Sequence, residues 1–149
     1  CALPIYMKTF SIKFSISKSN TSRLDTLITP GYETISSILY DLDGHGEILL
    51  RLQKYLNQTD TYNLEHEFIG TDMSAIETKK DENGEFLFDL SIPLFGYEYG
   101  DPGHCYISRS LLRYMVDTYI SERAKFKSSP VAYAANLEET NKKYSNITI

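Results

Sequence analysis

The sequence predicts an α+β fold: an antiparallel β-sheet of about four to five strands with two amphipathic helices packed on one face. Three observations lead there. Over residues 7–17 apolar and polar side chains alternate, the period of a half-buried strand. From Gly46, and again after Ser108, apolar residues recur at three and four, the spacing of a helix with one buried stripe. Between these helices, Asp81-Glu82-Asn83-Gly84 joins two strand-like runs through Asn-Gly, which suits a tight hairpin turn. At 149 residues the chain has the length of one domain with a real core.

The first strand places Phe10, Ile12, Phe14 and Ile16 on one face and Ser11, Lys13, Ser15 and Ser17 on the other. A polar connection, KSNTSRLD, follows. Residues 24–42 are ambiguous: Pro30-Gly31 breaks them, and ETISSILYDL fits a short helix or a strand. Ile48, Leu49, Leu52, Tyr55 and Leu56 make residues 46–57 a helix that ends near Asn57. Strands are expected at 63–69, 73–79 and 85–92, with Pro93 ending the last or placing it at a sheet edge. Residues 94–106 are a Gly/Tyr/acid loop. Ser108 caps a helix over 109–126 that buries Leu111, Leu112, Met115, Val116, Tyr119 and Ile120, and Ser128-Ser129-Pro130 stops it. Residues 7–127 then form the domain, and 128–149 a polar C-terminal tail.

No apolar run approaches the roughly 20 residues of a bilayer span, and the opening lacks a signal-peptide core, so the expectation is a cytoplasmic protein without a membrane partner. Residues 1–6 read as a non-native leader, since Met7 opens a natural start, MKTF. On that reading Cys105 is the sole cysteine, no intrachain disulfide forms, and a reducing compartment fits.

The stretch DLDGHGEILLRL (41–52) is similar over its first eight residues to a calcium loop of the EF-hand type, with Asp41, Asp43, Gly46, Glu47 and Ile48 at matching positions. His45 stands where calcium wants an oxygen and Leu52 where the bidentate glutamate belongs, a loss of two oxygens from a shell of about seven. The expected role is therefore a turn and cap. Asp43-Gly44 turns the chain, Asp43 or His45 caps the helix, Gly46 tolerates a tight approach, and Glu47 meets the positive end of the helix dipole.

His104-Cys105 ahead of a helix has the elements of an activated thiol, but chain neighbours seldom face each other, so a structural or merely exposed cysteine is expected, one that reacts with a thiol probe no faster than free cysteine. His45, His66 and His104 stand 21 and 38 residues apart, without the short spacings of a metal site. No catalytic residue, metal or cofactor is assigned.

Charge is distributed in blocks. Residues 1–59 carry 6 basic and 5 acidic side chains (+1), residues 60–101 carry 2 and 11 (−9), and residues 102–149 carry 7 and 4 (+3). An acidic middle third excludes a phosphate backbone as its ligand and favours a basic protein. Twelve tyrosines add stiff, amphipathic contact area. Tyr62, Glu65, Glu67, Asp72, Tyr97, Glu98, Tyr99 and Asp101 are the candidate partner-binding residues, in which carboxylates meet Lys and Arg beside aromatic rings.

Over residues 64–92, a strand ending Glu67-Phe-Ile-Gly-Thr-Asp72 and followed by Met73-Ser-Ala-Ile76, then a charged turn and another strand, resembles the immunity proteins of bacterial polymorphic-toxin and contact-dependent inhibition systems. The resemblance implies an acidic inhibitor that covers the basic surface of a nuclease-like toxin, with no chemistry of its own. Two alternatives stand beside it: a small cytosolic enzyme with a carboxylate or Cys105-based site, and a subunit of a larger assembly. The oligomeric state is left open.

Overall fold

The computed structural model describes residues 9–17, 23–57, 69–71, 73–80, 86–92 and 103–148. Strand β1 (Thr9–Ser17) follows its alternation: Phe10, Ile12 and Phe14 are buried while Thr9, Lys13 and Ser15 are exposed. β2 (Arg23–Thr29) pairs antiparallel with it, so that Ile16, Phe14 and Ile12 face Leu24, Thr26 and Ile28. A cis Thr29–Pro30 bond and Gly31 at φ 88°, where glycine alone is unstrained, turn the chain into helix α1 (Glu33–Asp43). The ambiguous segment is thus a strand and then a helix, divided at Pro30-Gly31.

Helix α2 (Gly46–Leu56) buries Leu49, Leu52 and Leu56, as its period requires. β3 (Ile69–Gly70), β4 (Ala75–Lys80), β5 (Phe86–Ser91) and β6 (His104–Ser108) form an antiparallel sheet in that order. The turn at 81–84 lies outside the described residues, but the ladder it would close is in register, with Lys80 opposite Phe86. β5 ends at Ser91, ahead of Pro93 as the first of the two expectations has it, and it is a central strand, not an edge.

Ser108 accepts a hydrogen bond from the Leu111 amide at the start of α3 (Arg109–Ser128). Within α3, Leu112, Met115, Val116 and Tyr119 are buried as expected; Leu111 and Ile120 are half-buried, and the stripe continues through Glu122 and Phe126. Pro130 is the first residue of a new helix, α4 (Pro130–Ala135), and α5 (Leu137–Lys143) and β7 (Ile147–Thr148) complete the chain.

Four expectations need correction. The α+β class holds, but the described strands form two sheets, β2-β1-β7 and β3-β4-β5-β6, with five helices rather than two. Residues 104–106 are strand, not loop. Residues 130–148 are not a loose polar tail. They cover the second edge of β1: β7 pairs with Thr9 and Phe10, the Ile12 amide donates to the Tyr144 carbonyl, and the Asn141 side chain both accepts from the Phe14 amide (2.8 Å) and donates to its carbonyl (3.0 Å). A side-chain amide thereby completes a strand edge that a polar sequence gave no reason to expect. Finally, Cys105 is not a free thiol; it is fully buried and disulfide-bonded.

One core joins both sheets to the helices: Phe10, Ile12, Phe14, Leu24 and Ile28 from the first, Ile76, Phe88, Leu90, Cys105 and Ile107 from the second, and the inner faces of α1, α2 and α3. No described helix is long and apolar enough to cross a membrane.

Candidate functional site

The Asp41–His45 stretch is built as the end of one helix and the start of the next. Asp41 accepts hydrogen bonds from the Thr71 and Ser74 hydroxyls, which ties α1 to the entrance of β4. Asp43 points elsewhere, to the Arg23 Nε (3.2 Å) on β2 and the Arg123 Nε on α3. The two carboxylates therefore serve different partners and do not converge as calcium ligands do. Neither Asp43 nor His45 caps α2 through its side chain; the His45 ring contacts the Asp41 carbonyl at 3.1 Å. Gly46 has open space around it, so no tight approach accounts for that glycine. The turn is retained and its chemistry is reassigned: Asp43 is the counter-ion of two arginines.

Around Asp43, three elements meet. Its side chain is 8% exposed, against 25% for Arg23 and 19% for Arg123. The Arg23 guanidinium also lies over the Tyr40 ring, 3.6 Å from its centroid. Tyr119 donates its hydroxyl to the Leu24 carbonyl at 3.1 Å, and burial, reinforced by the Asp43 charge, pushes its pKa well above the ordinary tyrosine range.

Beside this cluster runs a groove of about 590 Å³, within the range of ligand-sized sites. β2 forms one wall with Arg23, Asp25, Thr26 and Leu27; α1 forms another with Glu33, Ser36, Ser37, Tyr40 and Asp41; Met73, Ser74 and Ile92 close it from the second sheet. Three polar side chains on β2 are incomplete. Arg23 Nη2, Asp25 Oδ1 and Thr26 Oγ1 are enclosed and without a hydrogen-bond partner. Enclosed polar atoms normally find partners, so three on one strand are unusual. Desolvation raises the Asp25 pKa, opposed by the Arg23 charge and assisted by Asp43.

The eight candidate residues of the acidic and aromatic patch, Tyr62, Glu65, Glu67, Asp72, Tyr97, Glu98, Tyr99 and Asp101, all lie outside the described residues, as does His66. From the acidic block of residues 60–101 two carboxylates have described side chains. Glu77 is exposed and stands directly opposite Asp89 in the β4–β5 register, on the face away from the core. Like charges so placed repel. Asp89 is matched by His104, a buried side chain whose Nε2 contacts its carboxylate and whose ring packs edge-on to Tyr106 at 4.9 Å. His104 and Cys105 point to opposite faces of β6, so the histidine does not act on the sulfur. Among the described residues no three His, Cys, Asp or Glu side chains form a group able to hold a metal ion.

Because Cys105 is disulfide-bonded, thiol titration in denaturant without reductant is expected to find no free thiol, and reduction to release both of the chain's two cysteines. A thiol that reacts before reduction would refute the assignment.

Sequence reasoning missed the groove, because its polar atoms come from a strand assigned only as ambiguous. It also missed buried Glu122, which accepts from the Tyr133 hydroxyl (3.3 Å), the Tyr144 hydroxyl (3.3 Å) and Lys125 Nζ (3.0 Å). One signal was present: Glu122 sits three residues after Tyr119, on the buried stripe of its helix. No protein family, curated protein or solved structure matches this chain.

Proposed function

We propose that this chain is a non-catalytic protein-binding module, an immunity-type inhibitor that masks a basic, nuclease-like surface of another protein. The observation that carries the reading is the groove on β2 and α1. Among the described residues five large apolar side chains are exposed, and three of them, Leu27, Tyr40 and Met73, line this one groove. Clustered exposed apolar groups with polar surroundings mark protein-docking surfaces. The charges in the lining suit a cation: Asp25, Glu33 and Asp41 stand against Arg23, whose own charge faces Asp43. The third wall, Met73, Ser74 and Ile92, belongs to the acid-rich block, so groove and block are continuous along the chain. The acidic and aromatic candidates Tyr62, Glu65, Glu67, Asp72, Tyr97, Glu98, Tyr99 and Asp101 extend the proposed contact surface.

The cytoplasmic location expected from the sequence rested on the lack of an apolar span and of a signal-peptide core, with a reduced Cys105 taken to fit it. With Cys105 disulfide-bonded, an oxidising compartment suits the module better.

Calorimetry against a basic nuclease domain encoded beside this chain's gene tests the proposal, and neighbouring genes that encode no basic protein would count against it. Binding is expected to weaken steeply as salt rises from about 0.05 to 0.5 M, because steering between opposite charges is screened over that range. The triple reversal Glu65→Lys, Glu67→Lys, Asp72→Lys is expected to weaken it by about tenfold or more, with Leu27→Ser and Met73→Ser each costing several-fold. Salt-independent binding, or an affinity untouched by the triple reversal, would sink the proposal.

A further inference from the structure

Among the described residues, the outer edge of β2 has a gap one residue long. Phe14 turns both its amide and its carbonyl outward to Asn141, so its cross-strand partner Thr26 must turn its own amide and carbonyl away from β1, toward the groove. On either side that edge is already engaged. The Leu24 carbonyl accepts from Tyr119, and the Ile28 amide donates to Ser36 Oγ at 2.7 Å. Thr26 lies between them, flanked by the unpartnered Asp25 Oδ1, Arg23 Nη2 and its own Oγ1.

Donors and acceptors are both left over, and in a set that two neighbouring residues of an extended chain can satisfy. The backbone amide and carbonyl of one match those of Thr26, as in strand addition confined to a single position. Side chains alternate along a strand, so the neighbouring peptide residue projects to the face of Asp25; a cationic side chain there meets Asp25 Oδ1, while a flanking peptide carbonyl accepts from Arg23 Nη2. Leu27, Tyr40 and Met73 then cover apolar neighbours on either side.

Resting on the binding-module reading and giving it an anchor, we infer that the groove beside Thr26 is a socket for one lysine or arginine of an extended segment of the basic partner. Asp25 is the residue that selects the cation. One of its carboxylate oxygens is enclosed and unbonded in the free protein although the Arg23 charge lies near, and a bound cation supplies the missing contact.

The test uses the full chain and blocked pentapeptides Gly-Leu-X-Leu-Gly, with X lysine, arginine or norleucine, followed by amide chemical shifts and calorimetry. Saturable shifts at Asp25, Thr26 and Tyr40 are expected for the lysine and arginine peptides, and affinity about tenfold lower for norleucine. Asp25→Asn is expected to erase that preference. It should also raise the melting temperature of the free protein by about 1–2 °C, since it removes a charge that burial disfavours. Equal binding of all three peptides, no shift at Thr26, or a preference that survives Asp25→Asn would overturn the socket. A basic nuclease domain bound by the full chain separates this from the broader reading: if Asp25→Asn binds it undiminished, the module stands and the socket falls.

Discussion

Replacing Asp43 by alanine is expected to lower the unfolding free energy by about 2–4 kcal/mol, one of the two largest effects of any single polar substitution considered for this chain. The carboxylate is almost fully buried and is the shared counter-ion of Arg23 on β2 and Arg123 on α3. Its removal leaves two guanidinium groups facing each other across a small cavity. Breaking a buried ion pair from one side commonly costs about 3–5 kcal/mol. Arg23 and Arg123 keep 25% and 19% of their surface, so water reaches them in part and the lower end of that range applies. In urea the loss should appear as a lower midpoint at unchanged slope, and thermally as a drop of roughly 5–12 °C. Arg123→Ala in the Asp43→Ala background should recover part of the loss, because it removes one of the stranded cations. A loss below about 1 kcal/mol for the single variant would mean that the triad is solvated and structurally idle.

Glu122→Leu is the second. Its carboxylate is 3% exposed and holds the hydroxyls of Tyr133 from α4 and Tyr144 from the end of α5. Leucine fits the buried stripe of α3 but leaves both hydroxyls enclosed without an acceptor, at about 1–3 kcal/mol each. The expected loss is about 2–4 kcal/mol, with protease cleavage appearing first within residues 129–148. Glu122→Gln retains an acceptor and should cost about 1 kcal/mol. Adding Tyr133→Phe and Tyr144→Phe to Glu122→Leu should restore stability, since no hydroxyl is then stranded; a further loss instead would assign the effect to packing.

The same cluster sets an alkaline limit. Burial and then the Glu122 charge push the Tyr144 pKa up to about 12 from an ordinary 10, and the Tyr133 pKa higher still. In the unfolded chain these hydroxyls ionise near 10 while the folded protein keeps their protons, so the folded state binds more protons in that window. The contribution to stability is complete below pH 10 and falls as pH rises toward 12.

How much could be read beforehand depends on the range of the interaction. β1, α2 and α3 were legible, because an apolar period is a property of a dozen neighbouring residues and survives whatever packs against it. The cap at Ser108 was legible for the same reason. The division into two sheets was not, since alternation identifies a strand without naming its partners. The docking of residues 130–148 was hidden because it relies on Asn141, a backbone carbonyl and a two-residue strand, none of which leaves an apolar pattern.

By itself, then, the sequence determined the α+β class, the principal helices, the first strand and the concentration of eleven acids against two bases in the middle third. Only the tertiary structure decided that Asp43 neutralises two arginines instead of joining a metal loop, that Glu122 lies inside, and that Arg23, Asp25 and Thr26 face a groove with their polar atoms unmatched. The physical reason is desolvation. A charged side chain takes its character from the partners and the water left around it, and those are supplied by segments far apart in the chain.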